Sequence, residues 1–384
     1  MPSQFKQRFA VSTKMTLSER FKACSFRGPG FDQIRLGAAI IVLLHHCSGV
    51  KYQDIRLDPL FHFSGGYIDF GFLAVAIFFA ISGFLVTPSL LRSGNIIDFA
   101  TRRFLRIFPG LVCVVLFTML VVGPILTFLP LREYYTDSQF YRYAKNIVTL
   151  TIDHLPGVAT SDGIPVVVNG SLWTLHFEVL SYAALAIASI LGILHRRVLF
   201  LALFVISYGI NIALGVDPAF SALLPARFIT FMGLFVYFVS GATLFAYADR
   251  IPYSPIFAVG VFGLAMVAMP FGLGAYFVPI CLSYLMIFLG LSSLPGHSYF
   301  KRDLSYGVYL IHAPVLVTIG IYFPGFREWW LVAAVVFCVT LVLAYLSWTY
   351  IEEPALSHKK IVAEWMNQRA SALWFLRPNM VAKD

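Results

Sequence analysis

Ten stretches of this chain are apolar for about twenty residues each, enough to cross a hydrocarbon core about 30 Å thick as a helix. Inside lipid no water is available to the backbone. Such stretches must satisfy their own N–H and C=O groups, and the α-helix does this within one segment. They fall near 33–51, 69–91, 105–129, 172–194, 198–216, 228–247, 254–271, 274–292, 304–322 and 330–350. An even number returns both termini to one side. Only 12% of the 384 residues are charged, against about 25% in a soluble domain. The expected fold is all-α: a polytopic integral membrane protein with about ten transmembrane helices and both termini cytoplasmic.

Lys and Arg choose the side. With the N-terminus in the cytoplasm, 21 of the 28 fall on the inner side or its edge and 7 on the outer, the bias of the positive-inside rule. The net charge of +9 is thus spread along membrane edges, which speaks against a nucleic-acid surface. The reading divides the chain into a basic cytoplasmic tail at 1–30, a membrane domain at 31–354 and a cytoplasmic tail at 355–384. The first apolar stretch lacks a small-residue cleavage site and reads as a retained span. The five cysteines are scattered, without metal-ligand spacing or a disulfide framework. The one long extramembrane connection, about 130–171, carries Tyr134, Tyr135, Tyr141, Tyr143, Asp137, Asp153, His154 and Asp162. It reads either as a solvated loop or as an ordered functional one. No internal repeat is visible, which weakens an inverted-repeat transporter.

Ionisable groups inside a bilayer are costly and mark function. Arg35 and His46 share the first apolar stretch, eleven residues apart. Eleven helical steps make three turns plus about 20° and rise about 16 Å, so a basic group near one surface lines up with an imidazole near mid-membrane. Asp32 lies about 40° off that line. His45 points about 100° away from His46. His46 reads as a general base, because imidazole titrates near neutrality, or as a helix-packing residue. Arg103 and Arg106 share a helical face at the inner start of the third stretch. They are either topology signals or a docking point for a phosphate-bearing donor, which arginine binds bidentately.

Ser82 and Gly83 allow close approach of helices. The fourth stretch opens with Trp173, expected at the outer interface, with Glu178 about one and a half turns deeper. In the ninth, Tyr309 and His312 lie three apart on one face, and Pro314 kinks the helix and frees a carbonyl. Glu352 and Glu353 precede Pro354 at a helix end, a structural position.

These segments, in this order, resemble the membrane acyltransferase-3 family of bacterial sugar O-acyltransferases. The resemblance runs from Asp32 to Pro354. It is carried by Asp32, Arg35 and His46; by Phe78, Phe79, Ser82, Gly83, Phe84 and Leu85; by Arg102, Arg103, Arg106, Ile107 and Pro109; and by Ser171, Leu172, Trp173, Thr174, Leu175 and Glu178. Ser305, Tyr306, Tyr309, Leu310 and His312 continue it, and Ile351, Glu352 and Pro354 end it. It implies ten spans and transfer of an acyl group, usually acetyl from cytosolic acetyl-CoA, to a hydroxyl of an extracytoplasmic or lipid-linked glycan. His46 matches the family's essential histidine, Arg35 its partner, and Arg103 and Arg106 its donor-side arginines. Gly37 and Glu353 depart from the usual Leu and Arg or Lys, away from this chemistry. Many relatives carry a fused hydrolase-like domain, and this sequence is expected to act without one.

The expectation is therefore a multi-pass enzyme of the bacterial inner membrane with no permanently bound cofactor or metal. Acetyl-CoA or another acyl-CoA is the donor, a glycan or lipid-linked saccharide such as lipopolysaccharide the acceptor, and membrane lipids are the surroundings. Expected roles are catalytic for His46, Arg35 and Glu178, donor-binding for Arg103 and Arg106, and substrate-binding for Asp32, Trp173, Tyr309 and His312. The rival is a transporter or flippase for a lipid-linked or anionic solute, using the same residues as its path. A scaffold without activity fits this many intramembrane polar groups poorly.

Overall fold

A computed structural model describes residues 15–52, 58–160, 163–296, 302–323, 325 and 328–372. Asp162 and the tail residues 1–14 and 373–384 lie outside them. The described chain is all-helical, without strands. Each expected apolar stretch is a helix: α1 Phe31–Tyr52, α2 Phe70–Ser93, α3 Ile96–Phe117, α4 Trp173–Ile190, α5 Arg197–Val216, α6 Ala226–Ala246, α7 Pro255–Ala268, α8 Gly274–Gly290, α9 Ser305–Tyr322 and α10 Trp329–Ser347. A polar helix, α11 Lys359–Ala372, follows. Among the described residues, seven helical segments are long and apolar enough to cross a membrane. They correspond to α2 to α6, α9 and α10. The apolar helices α7 and α8 are shorter. α1 is not one of those seven.

The chain forms two compact units. One takes Met1–Ala38, Asp54–Pro88 and Leu191–Lys301, the other Ala39–Gln53, Ser89–Ile190 and Arg302–Asp384. In the first unit, Gly83 on α2 and Gly241 on α6 let two backbones touch. A Cβ at Gly83 would run into the Phe238 carbonyl, and one at Gly241 into the Ala80 carbonyl. This is the close approach expected of Ser82 and Gly83, since small residues let membrane helices pack through their main chains. The rings of Phe21, Phe31, Phe84 and Phe245 fill the space beside it, with Phe21 and Phe84 centroids 5.1 Å apart.

In the second unit, α9 and α10 pack as a pair, with Gly307 under Ala344. Asn95 caps α3 through the amides of Ile97 and Asp98, and its Nδ2 donates to Asn367 Oδ1 on α11 at 2.8 Å. α3 and α10 each widen at their ends into a π-helical turn, Thr118–Val122 and Trp348–Glu352. Such turns shift the residues beyond them off the 3.6-residue face. The connection 130–171 is ordered in its described part. Tyr134 and Tyr143 are fully buried, and Tyr134 Oη donates to the Met119 carbonyl in the first π-turn at 2.7 Å. Burial pushes both phenols above their ordinary titration range, so they stay protonated. Asn146 bridges the carbonyls of Tyr143 and Ile152 at 2.9 Å each. The segment packs by its aromatic residues and is not a solvated loop.

Candidate active site

The second unit gathers most of the expected site residues. His46, two-thirds of the way along α1, meets His312 on α9: Nδ1 of His46 and Nε2 of His312 are 2.8 Å apart, with the rings inclined by 20°. His312 is fully buried, and its Nδ1 lies 3.1 Å from the Val308 carbonyl oxygen. His45 makes no bond to His312; its ring centroid is 5.9 Å from that of His46.

The backbone around His312 is held from outside its helix. Pro314 has no N–H, so the Leu310 carbonyl four residues earlier has no helical donor. Asn169 Nδ2 supplies one at 2.9 Å. Asn169 Oδ1 in turn accepts from Ser171 Oγ at 2.6 Å, and Tyr309 Oη donates to the Ser171 carbonyl at 3.0 Å and lies 2.5 Å from Thr174 Oγ1. Asn169, Ser171 and Thr174 are all buried. The end of the 130–171 connection therefore reaches the level of Leu310, only about 8 Å along α9 from Ser305. Tyr309, expected to bind substrate, spends its hydroxyl on this latch.

This contact also sets the depth of Glu178. Thr174 is level with Tyr309, so Glu178, four residues on, is level with the start of α9 and close enough to Arg106 to interact electrostatically. The sequence reading put Glu178 about one and a half turns deeper than Trp173. The structure puts it beside the arginine pair, with its hydrogen bond coming from Tyr182 Oη. Trp173 opens α4 and packs edge-on against Phe177 at 5.8 Å.

Arg103 lies over the Tyr182 ring at 5.9 Å. Arg106 is caged. Its Nη2 donates to Asp303 Oδ2 at 2.5 Å, its Nη1 is 3.5 Å from Glu352 Oε2, and Tyr306 and Trp348 flank it at 5.5 and 5.8 Å. Asp303 Oδ1 meanwhile accepts from Ser305 Oγ at 2.5 Å and from its amide at 3.3 Å, capping α9. Arg106 thus fixes the start of the helix that carries His312. Asp303, Tyr182, Tyr306 and Asn169 are members to which residue-by-residue reading gave no role, and Glu352, read as structural, is the second carboxylate on Arg106. Glu352 bonds Ser347, five residues earlier, at 2.9 Å through the π-turn. A search at 3.6-residue spacing misses such a pair.

Arg35 and Asp32 belong to the first unit, where they form an ion pair at 3.4 Å. α1 runs without interruption from Arg35 to His46.

A family model described as an acyltransferase domain matches residues 29–349. The chain belongs to the acyltransferase-3 family. Among acyltransferase-3 relatives, an O-acetyl transferase of Shigella phage Sf6 is 31% identical over 335 residues, covering 84% of this chain and 94% of that protein. Nodulation protein 10 of Rhizobium leguminosarum bv. viciae is 30% identical over 354 residues, covering 85% and 92%. No solved structure matches significantly. The match spans both compact units, so the His46–His312 pair and the caged Arg106 belong to an acyltransferase domain within a multi-pass membrane enzyme.

Proposed function

We propose that this membrane acyltransferase is an O-acetyltransferase. It takes the acetyl group of cytosolic acetyl-CoA and passes it to a hydroxyl of a surface or lipid-linked glycan, with His46 as general base. The observation that carries the reading is the hydrogen bond between His46 and the fully buried His312, which joins helices far apart in sequence. An imidazole so placed is a base held in one orientation. The name of the phage relative supports acetyl as the group moved.

In this reading ten helices span a bacterial inner membrane and both termini are cytoplasmic. The donor docks near Arg103, and Arg106, its charge already met by two carboxylates, holds the floor of the site. From the Asp303 layer to His312 is about 13 Å along α9, a distance the flexible arm of CoA spans. Arg35, about three turns before His46 on the same helix and paired with Asp32, is its proposed catalytic partner. The acceptor arrives along the 130–171 connection, which reaches the level of the histidine pair beside Trp173. Glu178 serves the donor end, near the thioester's approach.

Purified protein in lipid, given labelled acetyl-CoA and a glycan acceptor, yields a labelled ester. Solute movement with no ester formed would overturn the reading in favour of transport.

A further inference from the structure

The hydrogen bonds of the histidine pair have a direction. His312 Nδ1 faces the Val308 carbonyl oxygen at 3.1 Å. A carbonyl only accepts, so this nitrogen carries hydrogen. His312 is fully buried, and the ion pairs among the described residues join other groups. An imidazolium there would lack a counter-charge, at high cost. His312 is therefore neutral, and its Nε2 is a lone pair. That lone pair lies 2.8 Å from His46 Nδ1, which must be the donor between them. His46 then keeps its own lone pair on Nε2, which makes no hydrogen bond among the described residues.

We propose that His312 is a positioning residue that locks His46 in its Nδ1–H tautomer and so makes Nε2 the atom that takes the acceptor's proton. The proposal rests on the reading of His46 as base. The acceptor O–H bond breaks and its proton moves to His46 Nε2. The oxygen pair forms a C–O bond to the thioester carbonyl carbon, the C–S bond breaks, and sulfur leaves with its electron pair and takes the proton from Nε2. His312 neither gains nor loses a proton. While His46 is cationic, its Nδ1–H bond to His312 becomes charge-assisted and stronger. A buried carboxylate plays this orienting part in hydrolytic triads. Here a backbone carbonyl does so at second hand, through the tautomer of a neutral ring. The latch of Asn169 on Leu310 holds that stretch of backbone in place.

The test uses the full chain in lipid with His312→Phe and His312→Gln. Phenylalanine keeps the volume and removes the acceptor, whereas the glutamine side-chain oxygen reaches the place of Nε2. His312→Phe should lose about 10- to 10³-fold in kcat with the acyl-CoA KM unchanged, and His312→Gln should recover at least about tenfold of that loss. Wild-type turnover in folded His312→Phe, or a folded His312→Gln no better than His312→Phe, would overturn the proposal. Nitrogen-15 spectra of histidine-labelled wild type, with His46 assigned by its loss in His46→Ala, give a readout free of variant folding. A protonated Nδ1 with bare Nε2 is expected, and the reverse tautomer would overturn it. Activity in His46→Ala would instead remove the base reading itself.

Discussion

His45 and His46 are chain neighbours, yet their side chains leave the helix about 100° apart, and only His46 meets His312. Replacing His46 with Ala should lower acyl transfer by about 10²–10⁴-fold, the usual cost of losing a general base, with membrane insertion intact. His45→Ala should keep substantial activity. Rates measured on matched amounts of folded protein decide this, and equal rates for His46→Ala and wild type would remove the assignment. The two arginines should also part company. Arg103→Ala should raise the KM for acyl-CoA with modest effect on folding, because it removes a charge-assisted contact to the donor. Arg106→Ala leaves Asp303 and Glu352 in the interior without their cation, and breaking a buried pair in this way costs about 3–5 kcal/mol. Its signature should be lost yield and lowered thermal stability in detergent. A folded Arg106→Ala protein whose only defect is a raised donor KM would return Arg106 to the donor site.

At the scale of elements, two helix contacts depend on backbone chemistry more than on side-chain volume. The crossing of α2 and α6 needs both Gly83 and Gly241, since a methyl group at either meets a carbonyl of the other helix. Gly83→Ala and Gly241→Ala should each destabilise by about 1–3 kcal/mol through overpacking. Unfolding midpoints unchanged from wild type would show that the helices separate freely. The second contact is the latch on α9. Asn169→Ala leaves the Leu310 carbonyl buried without a donor, a loss of about 1–3 kcal/mol. Pro314→Ala on that background restores an N–H to the helix and should recover part of the loss. A double variant no more stable than Asn169→Ala would mean that the Leu310 carbonyl is not the group at issue.

At the scale of the molecule, the site is arranged along α9. The caged arginine and its carboxylates stand at the start of the helix, the histidine pair about two turns on, and the 130–171 connection comes in at the histidine level. In the proposed topology the start of α9 faces the cytoplasm, so donor and acceptor approach the histidines from opposite sides. Acetyl-CoA supplied to the cytoplasmic face of oriented vesicles should acylate a glycan held on the other face. Transfer only when both substrates share the cytoplasmic face would sink this arrangement, while His46 could still act on a lipid-linked acceptor before it crosses.

Much of this was legible in the order of residues. Apolar length alone located the helices, because lipid offers the backbone no other partner, and α1 to α10 lie where the apolar stretches do. Helical spacing distinguished His46 from His45, small size singled out Gly83, and Pro314 announced a freed carbonyl. What filled that carbonyl was invisible, since Asn169 is 141 residues away and sequence carries no distance between helices. The neighbours of Glu178 were invisible for the same reason: Thr174 sits against Tyr309, and this brings Glu178 toward Arg106. Glu352 was read as structural, but its partners Ser347 and Arg106 were not foreseen, because a π-turn moves it off the 3.6-residue face. The chain by itself determined which segments are helices and which side chains are costly in lipid. Only packing decided which of those side chains meet, because a buried polar group is stabilised by the partner that the tertiary fold brings within about 3 Å.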